Sequence, residues 1–127
     1  MGTEENKATI QRLIDQVYNK QNFALIPELV SPSLIIHVVP EFGGHDGLRQ
    51  HILDAKQIFP DVKVTIDHLL AEGDLVAYTA TFKGTHQSGK EIQNTAICIS
   101  RLEDGKEIER WQGATSGAPS IRQQLNN

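Results

Sequence analysis

The most constraining feature of this sequence is a series of β-branched and aromatic segments between Phe59 and Trp111, separated by short turns that contain glycine. The segments Val62–Leu70, Leu75–Phe82 and Ile92–Leu102 have the length of strands, and a further segment reaches Trp111. Short glycine-bearing connections favour antiparallel neighbours. The sequence therefore predicts a curled antiparallel meander as the centre of the fold.

Helical periodicity precedes this meander almost entirely. The first helix is predicted from an apolar stripe at helical spacing, with Thr3 as its N-cap: Ile10, Leu13, Ile14, Val17 and Tyr18. A short helix is expected over Phe23–Val30, a strand over Leu34–Pro40, and a third helix between a cap at Asp46 and the stop at Pro60. Runs of helix followed by runs of strand are typical of an α+β fold.

Composition limits the class of protein. A chain of 127 residues with 39% hydrophobic residues is expected to form a single domain over residues 1–127. A net charge of −4 without a cluster of Lys and Arg argues against nucleic acid as a partner. The lack of a long apolar run argues against a membrane span. A single cysteine excludes an internal disulfide, and the acidic first residues are not followed by an apolar segment, so we expect the cytoplasm as the compartment. In the tail, the spacing of Ile121 and Leu125 predicts one or two helical turns.

Alternation along the segment Leu75–His86 separates two faces. One face gathers the apolar and aromatic residues, with His86 in line with them if no bulge intervenes: Val76, Tyr78, Ala80 and Phe82. This face should meet the helices, which places Tyr78 and His86 on the side of a pocket. Two plainer interpretations stay open: Tyr78 as a core residue with its hydroxyl bonded to backbone, and His86 as a loop cap at the rim.

An ordered set of short segments carries a family resemblance: Asn19-Lys20-Gln21-Asn22-Phe23, His37, Gly47-Leu48, Phe59-Pro60-Asp61, Gly73-Asp74-Leu75-Val76-Ala77, Gly84-Thr85-His86, Arg101-Leu102-Glu103-Asp104-Gly105-Lys106 and Glu109-Arg110-Trp111. Over residues 5–115, this set resembles the SnoaL-like polyketide cyclases of the NTF2-like superfamily. The resemblance implies an NTF2-like cone, in which a strongly bent antiparallel sheet wraps around three N-terminal helices and encloses a mostly apolar cavity.

The resemblance also implies a chemistry. Characterised cyclases of this kind close a ring by an intramolecular aldol condensation, without metal or cofactor, using an Asp as acid/base and a nearby His. Here Cys98 and Thr115 stand where the family commonly carries Asp, and neither can be a carboxylate base. His86 is then the retained candidate for the catalytic acid/base. The spacing of the five histidines and the single cysteine predicts no metal site.

Further residues are candidates for substrate binding. Phe82 belongs to the pocket face of its strand, and Cys98 is expected as a buried thiol on the cavity side. Trp111 is expected as a wall of the core or cavity, and Glu109 shares its face and could point inward. His37 lies in an apolar strand. The plainer interpretations are a satisfied core or interface residue for His37 and a solvated edge charge for Glu109.

Two functional hypotheses remain open on the sequence. The first is a cofactor-free cyclase or isomerase that acts on an apolar, ring-forming small molecule, with His86 assisted by Tyr78 or Glu109. The second is a non-catalytic pocket that binds an apolar ligand or a partner. Because Ile97 and Ile99 face away from the helices in a strand that is apolar on both sides, we also expect a homodimer through the outer face of the sheet.

Overall fold

The computed structural model describes residues 2–115 and 121–126. It contains a bent six-stranded sheet and four α-helices: α1 (Thr3–Arg12), α2 (Ile26–Leu29), α3 (Gly44–Ile58) and α4 (Ile121–Asn126). Helix α1 continues without a break as a π-helical segment, Leu13–Asn19, and a 3-10 turn, Phe23–Leu25, leads into α2. None of the helices in these two ranges is long and apolar enough to cross a membrane.

The predicted antiparallel meander is confirmed. The strands are β1 (Val30–His37), β2 (Phe42–Gly43), β3 (Lys63–Glu72), β4 (Leu75–Thr85), β5 (Glu91–Glu103) and β6 (Lys106–Ala114). Their order in the sheet is β2-β1-β6-β5-β4-β3. The β3 to β6 neighbours are antiparallel, whereas β1 pairs with β6 in parallel. The α+β cone expected from the sequence is therefore the observed architecture.

Helix boundaries differ from the predictions by a few residues. Gly2 occupies the N-cap of α1, so Thr3 is its first helical residue and not its cap. Helix α3 begins at Gly44, which places Asp46 in the first turn, where a carboxylate interacts favourably with the helix dipole. The strand expected over Leu34–Pro40 begins earlier, at Val30, and the predicted turns in the tail form α4.

The core lies between the helices and the inner face of the sheet. One apolar cluster joins the π-helical segment, α2, β1 and α3, and a second joins α1 to β4 and β5. Along β4, Val76, Tyr78 and Ala80 are buried, as the alternation predicts. Neighbouring strand β5 buries Cys98 on the same side and exposes Ile97 and Ile99.

A β-bulge in β6 decides which of its side chains face inward. Leu102 pairs with Glu107, but the preceding residue Arg101 pairs with Glu109, so one residue of β6 is left over between them. This extra residue reverses the alternation beyond it. As a result Glu107 and Arg110, three positions apart, are both buried.

Gly43 lies where β2 pairs closely with β1 and leaves no room for a side chain. Its backbone is extended, and an added Cβ would lie 2.0 Å from the carbonyl oxygen of Leu34. We predict that Gly43→Ala lowers the free energy of unfolding by about 1–3 kcal/mol, the usual cost of overpacking. Gly113→Ala is the control, because a Cβ at Gly113 meets nothing within 4 Å. Urea denaturation of both variants checks this, and equal stabilities would contradict it.

Candidate functional site

A cavity of about 390 Å³ opens between α3, the π-helical segment and the inner face of the sheet. Its walls are mostly apolar, and a smaller number of polar side chains interrupt them. The apolar wall is formed by Ile14, Ile52, Ala55, Ile58, Phe59, Val62, Val64, Ala80, Phe82, Ala96 and Ile121. The polar groups are Tyr18, His51, Asp54, Tyr78, Asn94, Arg110 and Gln112. Apolar walls with a few converging polar groups are typical of small-molecule sites.

A buried ion pair contributes one member, Arg110, to the wall of this cavity. Arg110 is 3% exposed and Glu107 is fully buried. The guanidinium donates from Nε to Oε2 of Glu107 at 3.0 Å and from Nη2 to Oε1 at 2.8 Å, which is the bidentate geometry of strong pairs. The negative charge of Glu107 raises the pKa of Arg110 above its usual range despite burial. The cavity therefore contains a permanent cation.

Two hydroxyl groups extend the pair into the neighbouring elements. Arg110 Nη1 donates to the phenolic oxygen of Tyr18 at 2.6 Å, which links β6 to the π-helical segment. On the other side, the hydroxyl of Ser100 donates to Glu107 and lies 2.9 Å from the phenolic oxygen of Tyr78. Burial raises the pKa of both tyrosines, so both phenols are protonated at neutral pH.

His51 lies at the mouth of the cavity on α3. Its ring stacks on Phe42 with 4.6 Å between centroids, and it remains open to solvent on one side. Its pKa lies below the usual value of 6.5, first because the cavity walls desolvate the ring and second because Arg110 is positively charged. The carboxylate of Asp54, one turn further along α3, opposes this shift. His51 is thus a neutral imidazole at pH 7, as a general base must be.

The chain has five histidines, and all lie in the described ranges. Four of them have hydrogen-bond partners elsewhere in the fold: His37, His45, His68 and His86. His51 has no hydrogen-bond partner among the described residues, and it is the histidine of the five that lines the cavity. Its ring nitrogens are therefore available to a ligand.

His86 lies outside the residues that line the cavity. It follows the end of β4 in the turn to β5, where its Nδ1 accepts a hydrogen bond from the backbone N–H of Ser88. Its ring meets the edge of Phe59, which does line the cavity, at 5.8 Å between centroids. This is the loop-capping arrangement that the sequence left open, and a catalytic role for His86 stays a prediction without support from this geometry.

Three predicted binding residues lie on the outer face of the sheet. Beyond the bulge in β6, Glu109 and Trp111 point outward, while Arg110 and Gln112 point inward. For Trp111 this is opposite to the predicted direction, and for Glu109 it is the edge position that the sequence also left open. His37 is held there between two carboxylates, with Nε2 2.6 Å from Glu109. The hydrogen bond to Glu109 is the largest cause of a raised pKa of His37. His37 also stacks on Trp111 at 5.4 Å.

The other three predicted binding residues lie on the inner face of the sheet, as predicted. Tyr78 and Phe82 line the cavity, and Cys98 is buried beside Tyr78 in the core without lining it. Burial raises the pKa of the Cys98 thiol, which keeps it protonated. Asn94 extends the inner face, and its Oδ1 is buried without a hydrogen-bond partner among the described residues.

Sequence reasoning missed His51, Tyr18 and Arg110 as site residues. A signal for His51 was present, because it lies three residues after Leu48 and four before Ala55, on the predicted apolar stripe of α3. No comparable signal marked Arg110, since the bulge that turns it inward is not visible in the sequence.

A second depression of about 400 Å³ lies on the outer face of β3, β4 and β5. Its walls are polar side chains that already pair with one another, such as Asp61 with Thr85 and Asp67 with Thr81. It lacks the apolar enclosure of the first cavity. We therefore take the inner cavity as the candidate site.

The comparisons with known proteins agree with this fold. The family model described as SnoaL-like polyketide cyclase matches residues 8–116. The chain is similar to the structure of a presumptive polyketide cyclase from Bacillus cereus, with 30% identity, 96% of this chain and 80% of that chain covered, and a TM-score of 0.84. No curated protein sequence matches it.

Two more distant structures share the fold. IdmH, a presumptive polyketide cyclase from Streptomyces antibioticus, is 23% identical, with 96% of this chain and 99% of that chain covered and a TM-score of 0.82. AclR, a presumptive hydroxylase from Streptomyces galilaeus, is 21% identical, with 95% and 85% covered and a TM-score of 0.78. Relatives of this fold therefore carry names from more than one reaction class.

Removing the charge of Glu107 should destabilise the protein strongly. Glu107→Gln leaves the Arg110 cation buried without its counter-ion, and we predict a loss of about 3–5 kcal/mol in the free energy of unfolding. Glu28→Gln is the matched control, because it breaks an exposed pair with Arg12 and should cost about 1 kcal/mol or less. Urea denaturation measures both. A similar effect at both positions would contradict a dominant role for the buried pair.

The protonation of His51 should respond to Asp54. We predict that NMR titration of the His51 ring gives a pKa below 6.5, and that Asp54→Asn lowers this pKa further because a favourable negative charge is removed. Asp46→Asn is a control, since Asp46 also lies on α3 but pairs with Arg49 on the surface. A pKa for His51 above 6.5 would show that the ring is not desolvated as described.

Proposed function

This chain belongs to the SnoaL-like polyketide cyclase family, and we propose that it is a cofactor-independent enzyme of the cyclase or isomerase type that acts on an apolar, enolisable, ring-forming molecule. The observation that carries the proposal is the neutral imidazole of His51, which lies at the mouth of an apolar cavity without a hydrogen-bond partner among the described residues. A base in this position can remove a proton from a bound carbon acid directly.

The proposed reaction begins with proton transfer. A nitrogen of His51 takes a proton from the carbon next to a carbonyl group, and the electron pair of the broken C–H bond forms the enolate. In a cyclase, the enolate carbon attacks a second carbonyl of the same molecule, a C–C bond forms, and the resulting alkoxide takes the proton from the imidazolium. In an isomerase, the proton returns to a different carbon. No oxidant or reductant enters either sequence.

The shape of the cavity supports a compact ring system as substrate. A volume of about 390 Å³ is at the lower end of the range for small-molecule sites. Phe59 and Phe82 meet edge to face at 5.1 Å in the wall and present aromatic surface to a planar ligand. The cation of Arg110 favours an intermediate with negative charge over a cationic one.

A second candidate function is binding without turnover. It is favoured by Cys98 and Thr115, which occupy the places where the resemblance leads one to expect carboxylate bases. In that case His51, Asn94 and Gln112 would orient an apolar ligand and nothing more. The two functions differ in one measurable property, because only the enzyme exchanges a carbon-bound proton of its ligand.

We predict that His51→Ala abolishes most of this exchange. The probe is 2-tetralone, a small enolisable bicyclic ketone, and proton NMR in D₂O follows loss of the signal at its activated carbon. A single general base contributes about 10²- to 10⁴-fold in rate, so the variant should lose that factor while its circular dichroism is unchanged. The wild-type rate should fall on acidification through a pKa below 6.5, since only neutral His51 accepts the proton.

The control for this experiment is His86→Ala. Because His86 makes its hydrogen bonds within its own loop and does not line the cavity, its removal should leave the exchange rate close to that of wild type. The reverse pattern, with loss at His86 and none at His51, would restore the assignment made from the sequence. Binding of 2-tetralone without exchange by wild type would favour the non-catalytic function.

We also propose that two copies of the chain associate through the outer face of the sheet. A row of apolar side chains crosses four strands there through successive register pairs, namely Leu70, Ala77, Ile99 and Trp111. Ala77 is partly buried, and the other three are exposed. Arg101 and Glu109 flank this row and bear opposite charges. A surface with both apolar area and complementary charges suits a two-fold contact with itself.

Sedimentation equilibrium tests the proposed dimer. We predict a dimer for the wild type at micromolar concentration and a monomer for Ile97→Glu, which places a charge in the contact where Ile97 is 52% exposed. Leu53→Glu is the control, because Leu53 is 40% exposed on α3, away from the sheet face. A wild-type monomer would refute the proposal.

A further inference from the structure

The chain has two tyrosines, both of which line the cavity, and their hydrogen bonds have opposite directions. The phenolic oxygen of Tyr18 lies 2.6 Å from Nη1 of Arg110. A guanidinium can only donate, so the oxygen of Tyr18 is the acceptor in this bond. The hydroxyl proton of Tyr18 is then unused, since no acceptor for it lies among the described residues.

The direction of the hydrogen bond between Tyr78 and Ser100 follows from the ionised state of Glu107. A carboxylate paired with Arg110 can only accept, so the single hydroxyl proton of Ser100 is committed to Glu107. The contact of 2.9 Å between Ser100 and Tyr78 must then use the proton of Tyr78. Tyr78 therefore presents only lone pairs, whereas Tyr18 presents a proton.

The backbone around Tyr18 supports a functional role. Residues 13–19 form a π-helical segment, and such segments are rare and concentrate at functional sites. The wider helix ends at Asn19, whose side chain accepts from the backbone N–H of Val64 and donates to its carbonyl, both at 2.8 Å. These two bonds attach the segment to β3 beside the cavity and restrict the direction in which Tyr18 can point.

The cation of Arg110 determines which ligand oxygen the hydroxyl group of Tyr18 binds best. Arg110 uses Nε, Nη1 and Nη2 for Glu107 and Tyr18, which engages three of the five N–H groups of a guanidinium. Its bond to the phenolic oxygen draws electron density from Tyr18 and strengthens the O–H as a donor. Because burial also keeps this proton on the phenol, Tyr18 acts as a donor and not as an anion.

We infer that Tyr18, backed by Arg110, donates its phenolic proton to a ligand oxygen that carries or develops negative charge, so that the cavity selects enolate and phenolate oxygens on apolar rings. The inference rests on the proposed function for the place of the ligand and adds the group that stabilises the intermediate. Donors arranged in advance around a developing oxyanion are among the largest contributions to enzymatic rates.

The test uses 2-naphthol and two cyano-substituted 2-naphthols of increasing acidity as probes, with affinities measured by fluorescence titration at one pH. In wild type, the ionised form should bind about 10- to 100-fold more tightly than the neutral form, as expected for hydrogen bonds to a charged group. The absorption spectrum should also show that bound naphthol ionises at a lower pH than free naphthol. This spectroscopic readout requires no variant.

Two variants separate the roles of the tyrosines. Tyr18→Phe should remove the preference for the ionised form, because it weakens binding of ionised naphthol far more than binding of neutral naphthol. Tyr78→Phe should retain the preference for the ionised form even where the affinity for both forms changes, because the proton of Tyr78 is directed at Ser100 and not at the ligand. Circular dichroism tests whether both variants are folded. If either variant is unfolded, the absorption spectrum of naphthol bound to wild type decides whether the cavity favours the ionised form.

Several results would overturn the inference. These are equal binding of both forms to wild type, a preference that persists in Tyr18→Phe, or no binding of ionised naphthol at millimolar concentration. None of these decides the proposed function, which depends on proton exchange from 2-tetralone by His51. Conversely, exchange that is absent in a protein that still prefers ionised naphthol would overturn the enzymatic function and leave the role of Tyr18 intact.

Discussion

The buried ion pair between Glu107 and Arg110 is the interaction on which the rest of the structure depends. Removing two charges from water costs several kcal/mol for each ion, and the pair is favourable only where hydrogen bonds satisfy the remaining groups. Here the bidentate contact is completed by Tyr18 on one side and by Ser100 on the other. The same bonds join β6 to the π-helical segment, to β5 and, through Tyr78, to β4, so the pair also fixes the walls of the cavity.

The pair also sets the chemistry of the cavity. Its guanidinium adds to desolvation, the larger cause, in lowering the pKa of His51, and it occupies the oxygen of Tyr18. A neutral imidazole and a phenol whose proton has no acceptor among the described residues therefore line the same space. A base and a donor for the opposite charge are the two groups that enolate formation requires. If the proposed function is correct, the buried cation acts on both groups of the site, at which Cys98 and Thr115 hold the places where the family commonly carries Asp.

Much of the fold could be predicted from the sequence, because it follows from periodicity. The apolar stripe of the first helix, the meander and the inward face of β4 at Val76, Tyr78 and Ala80 are visible as spacing. The site was less predictable. A single extra residue in β6 turned Glu109 and Trp111 outward and brought Arg110 inward, and local alternation does not reveal where a strand bulges. Which histidine has no hydrogen-bond partner in the described part of the chain depends on tertiary contacts as well.

Neutron diffraction of the wild-type protein at pH 7 tests the central claim most directly, because it locates the protons that define this network. The account predicts an ionised Glu107 that accepts the proton of Ser100, a Tyr78 proton directed at Ser100, a Tyr18 proton directed into the cavity, and a single ring proton on His51. A proton bound to the carboxyl group of Glu107, or a doubly protonated His51, would contradict it.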